Sequence, residues 1–276
     1  MEKYTSIDEY INSQLFKSEQ LEQIKVGFRH NVDVSKYAIP TLSHKQMEQC
    51  RIGLEHGVDI SSYAKHNLDE DVLEQIRLAA EDRSNVSLDE FLTGNYNAEQ
   101  LEQLRLGKKH WINVYEYSNP LFNAKQMREI RLGLEKEINI NIYNCHNYDW
   151  RQMKEIRLGI EEDLSVFRYM SSNFNHEQMH EIRIGLKENL DVHKYAYKSF
   201  SAEQMYEIRL ALEDNLDVDI LAKGRYNARQ MREIRLGLQD KVDVKLYLSP
   251  KYSWMQMYLI RNLLLDGYDV TDFLLY

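Results

Sequence analysis

The clearest catalytic pattern in the chain is His176-Glu-Gln-Met-His180, which fits the His-Glu-x-x-His motif. On a helix this spacing puts two imidazoles on one face as zinc ligands, and the glutamate can act as general base in a hydrolase. No His-x-x-Gly-x-x-His continuation supplies a third ligand, and Gln178 and Met179 recur at equivalent positions elsewhere. A zinc-dependent hydrolase is therefore a remote alternative, and we predict a protein that is not an enzyme and holds no metal or cofactor.

A basic side chain that recurs at a fixed interval is the second pattern that could have a chemical role. The step is 26 residues throughout, except for 28 between Arg77 and Arg105. A ladder of arginines could bind the phosphates of a nucleic acid. The residue two positions earlier is Gln or Glu in nine copies, so stacked units could instead pair it with the next basic residue, and we favour that structural role. The basic residues are Lys25, Arg51, Arg77, Arg105, Arg131, Arg157, Arg183, Arg209, Arg235 and Arg261.

These positions belong to one internal repeat, and such a period is the signature of a solenoid. Eight copies open with a capping box, such as Asn123 with Gln126, which marks a helix start. An apolar helical face follows, and in six copies a Gly or Asn then favours the left-handed conformation that ends a helix. We predict an all-α fold, an α-solenoid of about ten two-helix repeats, with one long and one short helix per 26 residues. The predicted left-handed residues are Asn31, Gly57, Asn85, Asn189, Asn215 and Gly267.

The repeat leads us to expect a single domain over residues 1–276. Residues 1–15 match only the second half of a unit and are expected to cap the first long helix. Residues 16–250 hold the repeats, and 251–276 form a divergent C-terminal repeat. Most copies carry a mid-helix glycine two positions after the basic residue, and we expect each glycine to face the backbone of the next repeat.

The last copy carries leucines at positions where the end of a solenoid should be polar. Leu259 replaces the usual Glu or Gln, and Leu263 replaces the glycine. Two arrangements would cover such a surface. Either the C-terminal tail folds back over it, or two chains meet there as a homodimer.

The repeated phrase Gln-Met-x-Glu-Ile-Arg-Leu-Gly-Leu-Glu, with its Leu-Asp-Val-x-x-Tyr tail, resembles short helical repeats of uncharacterised proteins of gut Firmicutes and their phages and conjugative elements. The resemblance covers essentially the whole chain and implies an α-solenoid with a mobile-element context. It carries over no active site. The chain departs from the pattern at a two-residue insertion near Arg83-Ser84, at Leu221 in the tyrosine slot, and in the final copy.

Functional residues are expected at positions where the copies differ, because the positions that keep the same residue type build the scaffold. The slot three positions before the basic residue changes from acidic to basic and aromatic along the chain, and Arg225 and Arg229 add a basic cluster near its end. A mixed solvated helix face is the plain interpretation. The functional one is a contact surface, since Tyr and Arg are enriched at binding hot spots. The slot holds Glu22, Glu48, Glu74, Glu102, Arg128, Lys154, His180, Tyr206, Arg232 and Tyr258.

Composition narrows the class of partner. The net charge is −9, which disfavours general affinity for nucleic acid, and no apolar run is long enough for a bilayer. Two cysteines and an N-terminus without a secretory pattern favour a reducing cytoplasm, and Cys50 is expected in the core. We expect a scaffold that binds a protein along its curved face, in a sharper version an inhibitor of a host defence or CRISPR nuclease. Nucleic-acid binding through the arginines is the alternative.

Overall fold

The structure, a computed structural model, describes residues 6–66, 68–82, 87–89, 92, 94–222 and 225–271. Within these residues it contains twelve α-helices and no strand, and ten of the helices are twelve residues long. The helices are α1 (Ile7–Asn12), α2 (Ser18–Arg29), α3 (His44–Glu55), α4 (Ser61–Ala64), α5 (Glu70–Glu81), α6 (Ala98–Lys109), α7 (Ala124–Glu135), α8 (Trp150–Glu161), α9 (His176–Lys187), α10 (Ala202–Glu213), α11 (Ala228–Gln239) and α12 (Trp254–Leu265).

The chain divides into two compact units, residues 1–135 and residues 136–276. In the first unit α2, α3, α5, α6 and α7 pack in chain order, each long helix on the next. In the second unit α8 to α12 pack in the same sequential way. The predicted α-solenoid of helical repeats is therefore confirmed. That residues 1–276 form a single domain stays a prediction.

Helix starts follow the predicted capping boxes. Asn97 shows the geometry. Its backbone amide donates to Gln100 Oε1 at 2.9 Å, and the backbone amide of Gln100 donates to Asn97 Oδ1 at 2.9 Å. The side-chain amide of Gln100 also donates to the Phe122 carbonyl at 2.6 Å, which connects one repeat to the next. All eight predicted boxes form, beginning at Ser43, Asn97, Asn123, Asp149, Asn175, Ser201, Asn227 and Ser253.

Helix ends are closed by residues in the left-handed conformation. Five of the predicted positions have a positive φ, and Asn85 lies outside the described residues. Trp111 adopts a φ of 60° in the same slot, although a bulky side chain is unfavourable there. The sequence did not reveal that position, because no Gly or Asn marks it. The confirmed positions are Asn31, Gly57, Asn189, Asn215 and Gly267.

The second helix of a repeat is short. In most copies it is a three-residue 3₁₀-helix, such as Val192–Lys194, where the Asp191 carboxylate accepts from the His193 amide at 3.2 Å. In the second copy it is α4. A tyrosine follows each of six 3₁₀-helices and is fully buried, which anchors the short element on the long helix. These tyrosines are Tyr37, Tyr117, Tyr143, Tyr169, Tyr195 and Tyr247.

The expectation that each mid-helix glycine faces the next repeat is wrong. A β-carbon on Gly185 would lie 1.9 Å from Oη of Tyr195, which belongs to the same repeat. That hydroxyl donates to the Glu181 carbonyl at 3.0 Å, so the glycine makes room for a buried hydroxyl bonded to the helix backbone. The same contact recurs at Gly27, Gly107, Gly159 and Gly237.

The first unit begins with the predicted half-repeat cap. Helix α1 packs on α2, and Tyr10, 3% exposed, meets the rings of Phe16 and Phe28 edge to face at 5.7 and 6.1 Å. Cys50 is buried in the core of this unit, as predicted. Its burial raises the pKa of the thiol to about 12.

The last long helix presents the leucines that the sequence singled out. Leu259 on α12 is 58% exposed, and Leu263 is half-buried. Residues 272–276 lie outside the described residues, so tail and homodimer both stay predictions for this surface.

Candidate functional site

The repeated arginines form a ladder inside the helix stack. Arg183 on α9 donates through Nε to Glu155 Oε2 on α8 at 2.8 Å. The expected pairing between the arginine of one repeat and the Gln or Glu of the preceding repeat is thus confirmed. The other pairs are Arg51–Gln23, Arg77–Gln49, Arg105–Gln75, Arg131–Gln103, Arg209–Glu181, Arg235–Glu207 and Arg261–Glu233, at 2.8 to 3.2 Å.

Several of the guanidinium groups also donate to a further acceptor through a terminal nitrogen. Arg77 Nη1 donates to Glu81, four residues later on the same helix, at 2.7 Å. Arg183 and Arg261 lack an acidic residue at that position, and each donates instead to a carboxylate at the end of the preceding helix, Glu162 or Asp240, at 2.9 or 2.8 Å. Eight ladder arginines are only 6 to 9% exposed. These side chains hold neighbouring repeats together.

The electrostatics of a ladder pair show why the buried charges are tolerated. Burial would raise the pKa of Glu155, but hydrogen bonds from His180 and Arg183 outweigh that effect and lower it. The carboxylate is therefore ionised, and the arginine beside it is paired rather than isolated. A buried ion pair is acceptable only when hydrogen bonds satisfy both partners, as they do here.

The candidate residues lie on the solvent side of this ladder, and we refer to them as the variable row. Each stands three positions before a ladder residue on the same helix, which places both on one face. Glu74 approaches the Arg77 guanidinium to 3.5 Å, and the guanidinium of Arg209 lies 5.2 Å from the centre of the Tyr206 ring. Every member is exposed or half-exposed.

In the first unit the variable row is mainly acidic. Glu22, Glu48, Glu74 and Glu102 lie on successive long helices, and only Arg128 on α7 departs from the pattern. Glu22 accepts from Arg29 at 2.8 Å, although both side chains are more than half exposed. Such exposed pairs contribute little to stability.

In the second unit the variable row carries Lys154, His180, Tyr206, Arg232 and Tyr258. Two of these, Tyr206 and Arg232, line an open groove of about 420 Å³ across α9, α10 and α11. Arg229 lines it as well, whereas Arg225 is exposed outside the lining residues. The structure thus brings together three of the predicted binding residues.

Two of the residues that line the groove are small and stand at helix starts. Ala202 and Ala228 occupy the first positions of α10 and α11, where α9 has His176 and α12 has Trp254. The remaining lining residues are glutamates, which were not among the predicted partner-binding residues. They are Glu177, Glu181, Glu203 and Glu207.

The zinc-type motif lies in the first turns of α9, and its Glu177 lines the groove. His180 Nδ1 lies 3.3 Å from Glu155 Oε2, and that hydrogen bond raises the pKa of the imidazole. His176 lies 3.5 Å from Glu177. Throughout the described ranges, no three His, Cys, Asp or Glu residues are grouped to hold a metal ion. Within the same ranges, no helix has the length and apolar character needed to cross a membrane.

Comparisons of the chain with protein-family models, curated proteins and solved structures found no match. The resemblance to Firmicutes repeats and the mobile-element context therefore stay hypotheses. The site is defined by its geometry alone.

Proposed function

We propose that the chain is a non-enzymatic helical-repeat scaffold that binds a protein partner through the variable row, with the groove of the second unit as a principal contact. One observation carries the proposal. The residues that recur in the ladder and the core are buried, whereas the residues of the variable row are exposed or half-exposed above the ladder. Such a surface can change its ligand contacts without disturbing the packing.

The residue types support a protein partner. Tyr206 is 42% exposed and Tyr258 is 44% exposed, and each ring stacks on a ladder arginine at 5.2 or 5.7 Å. A tyrosine held by its neighbour loses little conformational entropy on binding. Partly exposed Tyr and Arg side chains on a rigid helix are typical of interface hot spots.

The charge distribution supports the same choice over a nucleic acid. Eight of the ladder arginines are buried, and those of the second unit donate to carboxylates, so these side chains are not free to follow a phosphate backbone. The net charge of −9 would repel a polyanion at long range. Arg225, Arg229 and Arg232 offer an exposed basic cluster, but glutamates lie beside two of them.

The proposal is tested by affinity capture from a reducing lysate of the source organism, with and without nuclease. We expect one stoichiometric protein in both conditions, lost with a Tyr206→Ala/Arg232→Ala variant. Lys251→Ala, at an exposed turn position outside the variable row, should retain it. Recovery that disappears with nuclease would instead indicate nucleic-acid binding. Equal capture by all three proteins would place the contact elsewhere.

A further inference from the structure

Two arginines in the groove are unlike those of the ladder. The ladder arginines of the second unit donate to carboxylates, but Arg229 and Arg232 form no ion pair in the part of the chain that the structure describes. The Arg229 guanidinium lies 5.5 Å from the Trp254 ring, which fixes its position without neutralising it. The two residues are three apart on α11, so both charges project on one side of the helix.

The opposite side of the groove is acidic. Glu177 on α9 and Glu203 on α10 are exposed, and hydrogen bonds from Ser201 and from its own backbone lower the pKa of Glu203. Glu181 and Glu207 lie deeper and pair with ladder arginines. The groove therefore has a negative wall formed by α9 and α10 and a positive wall formed by α11.

Less polar groups also line the groove. Ala202 and Ala228 are small, and Tyr206, 42% exposed, lies on α10, the middle one of the three helices. Packed helices are about 8–10 Å apart, so the distance from α9 to α11 is roughly 18 Å. An extended peptide advances about 3.3 Å per residue, so about five or six residues would cross the groove.

We propose that this groove binds an extended peptide segment of mixed charge. An acidic side chain lies between Arg229 and Arg232, an apolar or aromatic side chain contacts Tyr206, and a basic side chain meets Glu177 and Glu203. The assignment rests on the proposed function and specifies the chemistry of its partner.

Charge complementarity selects this occupant over a nucleic acid. A polyanion that reached Arg229 and Arg232 would continue past Glu203 and Glu177, where each phosphate meets a carboxylate. Like charges in contact are unfavourable and suppress such partners. A peptide can instead alternate the sign of its side chains along the same path.

The test is selection of a displayed library of random twelve-residue peptides on the full chain. We expect peptides with an acidic residue, an apolar or aromatic residue, and a basic residue about four to six positions from the acidic one. An Arg229→Glu/Arg232→Glu variant should replace the acidic preference with a basic one. A Lys245→Glu/Lys251→Glu variant, which makes the same charge change away from the groove, should select the same peptides as the wild type.

Affinity gives a second measurement. A synthetic peptide from the selected set, followed by fluorescence anisotropy, should bind Arg232→Ala about two- to fivefold more weakly, the size expected for loss of one exposed ion pair. Circular dichroism would verify that each variant is folded. The proposal is overturned by an unselective library, by the same peptides from the charge-reversed groove, or by displacement of the peptide by random single-stranded DNA at about 0.15 M salt, where phosphate contacts are already weakened.

Failure here is distinguishable from failure of the proposed function. A protein captured from lysate that needs Tyr206 and Tyr258, but not Arg229 or Glu203, would leave the proposed function intact and overturn the peptide assignment. A selected peptide motif without any captured protein would do the reverse.

Discussion

Replacement of Gly185 by alanine should destabilise the protein, although alanine is the better helix former. The added β-carbon would lie 1.9 Å from Tyr195 Oη, whereas the ring carbon beside that oxygen and Val192 Cγ1 are each 3.1 Å away. The hydroxyl must move, and its 3.0 Å hydrogen bond to the Glu181 carbonyl is then lost.

The magnitude follows from three opposing effects. Loss of the buried hydrogen bond costs about 1 kcal/mol. Overpacking of the fully buried Tyr195 costs about 1–3 kcal/mol. The higher helix propensity of alanine returns about 1 kcal/mol. Gly185→Ala should therefore lower the free energy of unfolding by about 2 kcal/mol.

A second background isolates the cause. In Tyr195→Phe the hydroxyl is absent, and the nearest remaining atoms at 3.1 Å need to give by only a few tenths of an ångström. Gly185→Ala should then be neutral or stabilising. Copy eight already shows this combination, since Ala211 stands in the glycine slot and Leu221 in the tyrosine slot.

Urea unfolding, followed by circular dichroism, of the wild type, the two single variants and the double variant gives the coupling energy between Gly185→Ala and Tyr195→Phe. Ala211→Gly is the matched control and should cost about 1 kcal/mol, because no hydroxyl needs the space there. A Gly185→Ala protein as stable as the wild type, or the same cost in both backgrounds, would refute the reasoning.

Further predictions concern charge and burial. Arg183→Leu should cost about 3 kcal/mol by leaving a buried carboxylate underpaired, whereas Glu155→Gln, the natural pairing in earlier copies, should cost less than about 1 kcal/mol in the same urea assay. Cys50 should resist a disulfide reagent at pH 8 until denaturant is added, since burial raises its thiol pKa to about 12. Partial burial of Asp59 opposes ionisation, but hydrogen bonds from a lysine and a serine prevail and lower its pKa to about 2. Its stabilising contribution is complete above its ordinary pKa of 3.8 and is lost as the pH falls towards about 2. In Asp59→Asn the free energy of unfolding should therefore depend less on pH in that interval.

Much of the fold was predictable because its signals are local and repeated. The capping box of Asn97 and Gln100 lies within four residues, so the sequence alone indicates it. The pairing of Arg183 with Glu155 was also accessible, because both slots keep their character in successive copies. By contrast, Trp111 ends its helix with a positive φ through the backbone hydrogen bonds around it, which no residue type announces.

The glycine–tyrosine contact was missed although the sequence carried its signal. Ala211 and Leu221 change together in one copy, whereas Gly185 and Tyr195 represent the common pair. A comparison of slots in pairs, rather than one by one, would have revealed the contact.

The candidate site was predictable only in part. The variability of the slot held by Tyr206 and Arg232 marked it as functional. The groove brings together residues of three packed helices, including Ala202 and Ala228 at two helix starts and Glu203 on the acidic wall. Those relations arise from packing, so a scan of single slots could not find them.

The most direct test of the account is photocrosslinking in the source organism. A photoreactive phenylalanine analogue would replace Tyr206 in the groove and, in a control, Lys251 at an exposed turn. The account predicts a discrete protein adduct from position 206 that is resistant to nuclease and absent from position 251. A nuclease-sensitive adduct at position 206, or the same protein adduct from both positions, would contradict it.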